Sequence, residues 1–418
     1  MPSSHRRHRL LAALTVAVLG LTACAPGASV EREPIAQVEG DLPGDMQERL
    51  QAAVETAMAA TGSTGAIVEV RAPWSGVWTK ALGTTTPEGP AVTTDMKFRI
   101  GPVTRTMTCD VLYGMADRGI VSIDDALGDW LSGFPSLAEV TLGELCDSSS
   151  GLSTYANEVA SRWYANPTRT WSAKELVAYG VAKGLDGEPG AAYKDSDTGY
   201  LLLALALERA SHQTAAELFE EYVFAPLEMD GSSLPQTTRG SDGWLNGLRS
   251  GTTKSATNCA APTDLTSMSP TTGFTAGGAV SDIDELSDYI QAVALGVRSY
   301  DTEERFADPL PISGSAPSWF TAKGGAFQAG SLVGNSGSVP GYLTAAYADT
   351  ETGLSVAVVL NNSRASGTVA RQLAWQLAAV ASKAPAASGE TAPEAGGLPW
   401  EAATFGEAIV DSAICPLP

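Results

Sequence analysis

The sequence predicts an α+β fold, with strands toward the two ends of the chain and helices in the middle. β-prone runs occur at GAIVEV and GVWTKALG early on, and again within SLVGNSGSVPGYLTAAYADTETGLSVAVVLNN near the end. Between about residue 122 and residue 263 the pattern is mostly helical, with long loops. Strands toward both ends of the chain with helices between them form an α+β pattern.

The chain opens on His5, Arg6, Arg7, His8 and Arg9, followed by an apolar run at 10–21 and the sequence LTAC ending at Cys24. This is the pattern of a secretory signal (1–23) with a lipobox. The run is well short of the roughly 20 apolar residues that span a bilayer. Cleavage before Cys24 would leave a diacylated cysteine, and two acyl chains anchor stably. The expected location is therefore extracytoplasmic, with a lipid anchor holding the protein to a bacterial cell membrane. Residues 24–44, rich in Pro, Gly and Glu, read as a flexible tether.

With 26 Lys and Arg against 47 Asp and Glu, the formal net charge is −21. Loss of the three arginines in the signal makes the mature chain more acidic still. A nucleic-acid partner is excluded on this ground, because phosphate binding needs a basic surface. Past Cys24 the cysteines are Cys109, Cys146, Cys259 and Cys415. An even number outside the cytoplasm implies two disulfides, with three pairings open. No HxxxH or CxxC spacing suggests a metal, and no cofactor is expected.

The domain is read as 45–384. Residues 45–60 form an amphipathic helix with Met46, Leu50, Val54 and Met58 on one side. GAIVEV and GVWTKALG are strands joined by a Pro-Trp-Ser-Gly turn. The organising stretch is FRIGPVTRTMTCDVLYGMADRGIVSIDDAL, read as strand, tight turn and helix from Pro102 to about Asp117. Val103, Met107, Val111, Leu112 and Met115 recur at helical spacing. Proline suits the first helical position, and Gly119 stops the helix. Residues 231–270, with many Gly, Ser, Thr and Asn, read as a surface loop. Asp282 is a good N-cap for the helix after AGGAV. Two long strands follow in the segment 331–362, and a helix from about 365 to 381 covers them. Residues 385–418 read as a Pro/Ala/Gly-rich tail, with PWEAATFGEAIVDSAIC folding back through Cys415.

The stretch around Pro102 resembles the active-site segment of the serine β-lactamase and D-Ala-D-Ala carboxypeptidase superfamily, in the branch holding class C β-lactamases and penicillin-binding-protein-like enzymes. LAEVTLGELCDSSSGL and the helix-loop-helix segment 199–234 are similar to further family segments, and the resemblance runs from about Met46 to Ala381. It implies a β-lactamase/DD-peptidase-like fold: an antiparallel sheet shared by both ends of the chain, flanking helices and an all-helical lobe. It also implies that Cys109 pairs with Cys146, leaving Cys259 for Cys415.

The same resemblance shows all three catalytic motifs to be degenerate. Where the family has SxxK, this chain has Pro102, Val103, Thr104 and Arg105. At the YxN motif, EPGAAYKDSDTGYLLLA places Asp195 at the tyrosine and Asp197 at the asparagine, with Tyr193 read as packing. At KTG or HxG stand Asn335, Ser336 and Gly337, so only the glycine remains. Acyl-enzyme chemistry needs a hydroxyl with a base beside it, and no catalytic residue is intact at these positions. Pro102 also lacks the backbone N–H that in the family is one of two oxyanion donors. Thr104 and Thr106 sit two and four residues along the helix, turned or displaced from the lost serine. His212 reads as exposed at a helix end.

Arg105, Asp195, Asp197, Asn335 and Ser336 are the candidate residues of a binding cleft, with Arg105 read as bridging the two aspartates. The expected function is binding or scaffolding at the cell envelope by a catalytically inactive domain, with a peptidoglycan-derived ligand or a cell-wall enzyme as partner. The alternative is an active serine hydrolase, of carboxypeptidase or esterase type, with a rearranged site.

Overall fold

The computed structural model describes residues 35–252, 256–393 and 397–417; Cys24 and the signal-like segment lie outside them. The helices that matter for the site are α1 (Gly44–Thr61), α2 (Val103–Asp117), α3 (Leu142–Cys146), α4 (Ala156–Ala165), α5 (Asp197–Ser211), α6 (Ile283–Leu295), α7 (Thr368–Ala381) and α8 (Ala402–Asp411). The strands of the main sheet are β1 (Gly65–Ala72), β2 (Gly76–Gly83), β3 (Leu310–Pro311), β4 (Phe320–Lys323), β5 (Ala326–Ala329), β6 (Leu332–Val339), β7 (Tyr342–Asp349) and β8 (Ser355–Leu360).

The sheet runs β2-β1-β8-β7-β6-β5-β4-β3 and is antiparallel throughout. β1 pairs with β8, Ala66 opposite Leu360, so the two ends of the chain close one sheet. Side chains alternate across a strand, which gives each face its own core. Ala66, Val68 and Val70 of β1 and Leu343, Ala345 and Tyr347 of β7 pack under α1, α7 and α8. Ile67, Ala346 and Ala348 face α6 and the helical lobe, which includes α2 to α5.

Several expectations are corrected or refined. The segment 331–362 holds three strands, because Pro340 and Gly341 (φ +103°) turn the chain between β6 and β7. The flanking Val339 and Tyr342 are both buried, so the apolar run conceals the turn. The region 231–270 contains a hairpin, Leu248–Thr252 with Thr257–Asp264. Its strands are largely exposed and lack apolar alternation; backbone pairing and Asn362, which accepts from Ser250 N at 3.1 Å, hold it. The strand expected before the tight turn forms as Phe98–Arg99 and pairs with Val280–Ser281, outside the main sheet. Within the segment read as a tail, PWEAATFGEAIVDSAIC folds back as expected: α8 packs on α7 and α1 through Phe405 and Ile409, and Cys415 bonds Cys259. At the other boundary, Leu42 is buried and Asp41 bridges to Val77, so the folded unit begins before residue 45.

The two disulfides are Cys109–Cys146 and Cys259–Cys415. The first bolts α2 to α3, and both of its cysteines are fully buried.

Candidate functional site

The site lies where the start of α2, the start of α5 and the strand β6 meet. Gly101 (φ +56°) makes the tight turn before α2, and Pro102 leads into the helix with φ −61°. From there Arg105 is one turn in, 6% exposed, pointing to the loop that precedes α5. Ser196 caps α5 by accepting from Gly199 N at 3.3 Å, which sets Asp195 and Asp197 on either side of the cap.

Arg105 joins both aspartates. Nη1 donates to Asp195 and Nη2 donates to Asp197 at 2.5 Å. Asp197 also accepts from Thr154 Oγ1 at 2.7 Å, and Asp195 from the Tyr193 hydroxyl at 3.2 Å. The guanidinium carbon sits 5.2 Å from the centre of the Tyr200 ring. Burial works against the charge of Arg105, but the two carboxylates outweigh it and hold its pKa well above the ordinary value. Burial pushes the Tyr200 hydroxyl up to about 12, and burial with the Asp195 charge raises Tyr193 well above its usual range. The cleft therefore offers a permanent cation and neutral phenols, and the guanidinium at 105 does not accept a proton as a lysine amine there could.

On the opposite wall Gly337 lies against Pro102. A Cβ at Gly337 would stand 2.5 Å from Pro102 Cγ and 3.1 Å from Cδ. Asn335 is spent on its own surroundings: Nδ2 donates to Gly325 O at 3.0 Å and Oδ1 accepts from Ser336 N at 2.7 Å. Ser336 does not belong to the cleft. Strand alternation turns it to the other face, where its hydroxyl pairs with Tyr347 OH at 3.0 Å. Thr104 accepts from Ala279 N at 3.2 Å and Thr106 donates to Gly325 O at 2.9 Å, both fully buried.

What remains open is small. A cleft of about 60 Å³ lies beside Pro102, walled by Tyr155, Trp163, Asp197, Val339 and Pro340. Behind Arg105 a space of about 10 Å³ is lined by Tyr193, Phe327 and Asn335, room for a single water. Lys323 stands at its rim, paired with Asp147 at 2.8 Å. Sequence reasoning missed Thr154, Tyr155, Trp163 and Lys323, which lie outside the three motifs. It read Tyr193 as packing; Tyr193 does pack on Phe327, at 5.9 Å between ring centres, but it also bonds Asp195.

The beta-lactamase family model matches residues 50–380. A penicillin-binding protein of Bacillus subtilis (strain 168) is 28% identical over 139 residues, 33% of this chain and 30% of that protein, so the match spans under a third of the curated relative. Among solved structures, a D-stereospecific amidohydrolase from Streptomyces sp. superposes with a TM-score of 0.66 at 23% identity, covering 77% of this chain and 94% of that one. The D-amino acid amidase of Ochrobactrum anthropi SV3, complexed with L-phenylalanine amide, gives 0.65 at 20% identity, with 76% and 92% covered. The octameric penicillin-binding protein homologue of Pyrococcus abyssi gives 0.66 at 20% identity, with 78% and 75% covered. At these identities the structural likeness speaks for the fold.

Proposed function

Because the chain belongs to the beta-lactamase family while a proline opens its motif helix, we propose that it is an extracytoplasmic lipoprotein that works by binding at the cell envelope, without serine acyl transfer. The observation that carries this reading is Pro102 packed on Gly337, with Arg105 held between Asp195 and Asp197. Proline brings neither a hydroxyl nor a backbone N–H. Losing one oxyanion donor alone typically costs about 10²- to 10³-fold in rate, and a guanidinium does not take up the nucleophile's proton. Anchoring rests on the lipobox-like LTAC at Cys24.

The remaining cleft, with its aromatic walls at Tyr155 and Trp163, suits a small neutral or zwitterionic group. Two structural neighbours, a D-stereospecific amidohydrolase and a D-amino acid amidase, favour a ligand with a D-amino acid residue, as in a peptidoglycan stem peptide. Titration of the purified protein with a synthetic D-Ala-terminated stem peptide tests it. The reading predicts a saturable rise in melting temperature with the peptide recovered unchanged, and cleavage of the peptide contradicts it. The amidase names also favour the second reading, a hydrolase with relocated chemistry, which that same recovery assay separates.

A further inference from the structure

The two disulfides differ in access. Cys109 and Cys146 are both 0% exposed, whereas Cys259 is half-buried at the edge of an open hairpin and Cys415 is 8% exposed. The Cys259–Cys415 bond closes 156 residues and ties α8, on the back of the sheet, to the strand Thr257–Asp264. It rests on the C-cap of α1, where Gly62 is left-handed (φ +67°) and a Cβ would lie 2.5 Å from Cys415 Sγ. Asn362 braces the same point, donating to Gly62 O and to Ser250 Oγ, each at 2.8 Å.

The hairpin in turn contacts residues that neighbour two of the cleft's lining residues, Pro340 and Trp163. Leu248 N donates to Gly341 O at 3.1 Å, next to Pro340, and the Arg249 guanidinium lies 4.5 Å from the Tyr164 ring, beside Trp163 on α4. Without the disulfide, α8 keeps the packing of Phe405 and Ile409 and the Ile414 N to Ala60 O bond of 2.9 Å. Its hold on the hairpin would then depend on short-range contacts alone.

We infer that Cys259–Cys415 is a reducible latch that sets the mobility of α8 and of the cleft-side hairpin together, while Cys109–Cys146 stays closed. The chemistry is ordinary thiol exchange. A dithiol reductant attacks Cys259 Sγ, Cys415 leaves as a thiolate and is protonated, and the second thiol of the reductant releases Cys259. The protein gains two electrons and two protons as the reductant becomes a disulfide. The latch holds whether the cleft binds or hydrolyses its ligand.

The test is graded dithiothreitol treatment of the folded full chain, with alkylation mapped by mass spectrometry and amide exchange followed in parallel. The expected result is alkylation of Cys259 and Cys415 while Cys109 and Cys146 remain bonded, with exchange at least tenfold faster in 257–264 and 402–415. The Cys259→Ser/Cys415→Ser variant should show that exchange pattern without reductant. Simultaneous alkylation of the four disulfide cysteines would overturn the inference, as would parent-like protection in the reduced protein or in the double variant.

Discussion

Pro102 and Gly337 meet face to face across the floor of the cleft, the proline ring occupying the space where a Cβ at 337 would stand 2.5 Å from its Cγ. Each residue therefore constrains what the other position accepts. Gly337→Ala forces the ring or β6 to move, and overpacking of this kind costs about 1–3 kcal/mol. Pro102→Ala removes the Cγ and Cδ contacts, so the double variant Pro102→Ala/Gly337→Ala is predicted to lose less stability than the two single losses added together. Denaturant titration of the four proteins as a double-mutant cycle reads this coupling.

Arg105 is 8% exposed at its side chain, Asp197 19% and Asp195 53%. Breaking a fully buried pair costs roughly 3–5 kcal/mol, and the exposure of Asp195 lowers that by screening. Arg105→Ala is predicted to cost about 2–3 kcal/mol by this reasoning. Arg105→Lys should recover only part, since one ammonium cannot fork to two carboxylates. Thermal melts rank the three proteins, and an Arg105→Lys variant as stable as the parent would remove the bridging role.

A second ion network lies deeper against α2. Asp110 accepts from Arg298 at 3.0 Å, Arg305 at 2.5 Å and Tyr289 OH at 2.7 Å, and Asp301 completes the quartet with Arg298 at 2.6 Å and Arg305 at 2.8 Å, all fully buried. Burial would raise the Asp110 pKa, but Arg298 and Arg305 prevail and lower it. Its contribution is thus complete above the ordinary aspartate range and is lost as the pH falls through the depressed folded value. Asp110→Asn leaves two guanidiniums facing one carboxylate and should cost about 3–5 kcal/mol. That deficit should be flat from about pH 5 to 8 and shrink below about pH 4, as urea unfolding at several pH values would show.

Glu208 behaves with the opposite sign. Burial raises its pKa, against the Ala215 N–H bond of 2.8 Å and Lys174. The folded carboxyl holds its proton more tightly than the unfolded one, so stability declines as the pH rises through the ordinary value toward the raised one. Glu208→Gln, which keeps the acceptor for Ala215 N–H, is predicted to be more stable than the parent at pH 7 and equal to it below about pH 4. Melting temperatures at the two pH values decide it.

Local chemistry explains what could be read beforehand. The helix predicted from Pro102 to Asp117 forms as Val103–Asp117, and Gly119 takes the left-handed φ of +67° that ends it. Asp282 caps α6 by accepting from Glu285 N at 3.1 Å. The meeting of Arg105 with Asp195 and Asp197 was readable because two short motifs fix all three residues relative to helix starts. Ser336 was misplaced because alternation along β6 follows from register, which motif spacing does not carry. The hairpin at 248–264 left no apolar signal since its faces are exposed, and the Pro340–Gly341 turn disappeared inside a run whose two sides are both buried. Thr154, Tyr155 and Trp163 reach the cleft only through the packing of the helical lobe, which no short stretch encodes.

The central claim is that Pro102 and the locked Arg105 leave no acylatable centre. Intact-protein mass spectrometry after incubation with a fluorescent penicillin and a fluorophosphonate addresses it directly, with an active DD-peptidase labelled alongside. The account predicts an unshifted mass for this protein and full labelling of the control. A stoichiometric adduct mapped to one serine or threonine would contradict it and establish a relocated nucleophile.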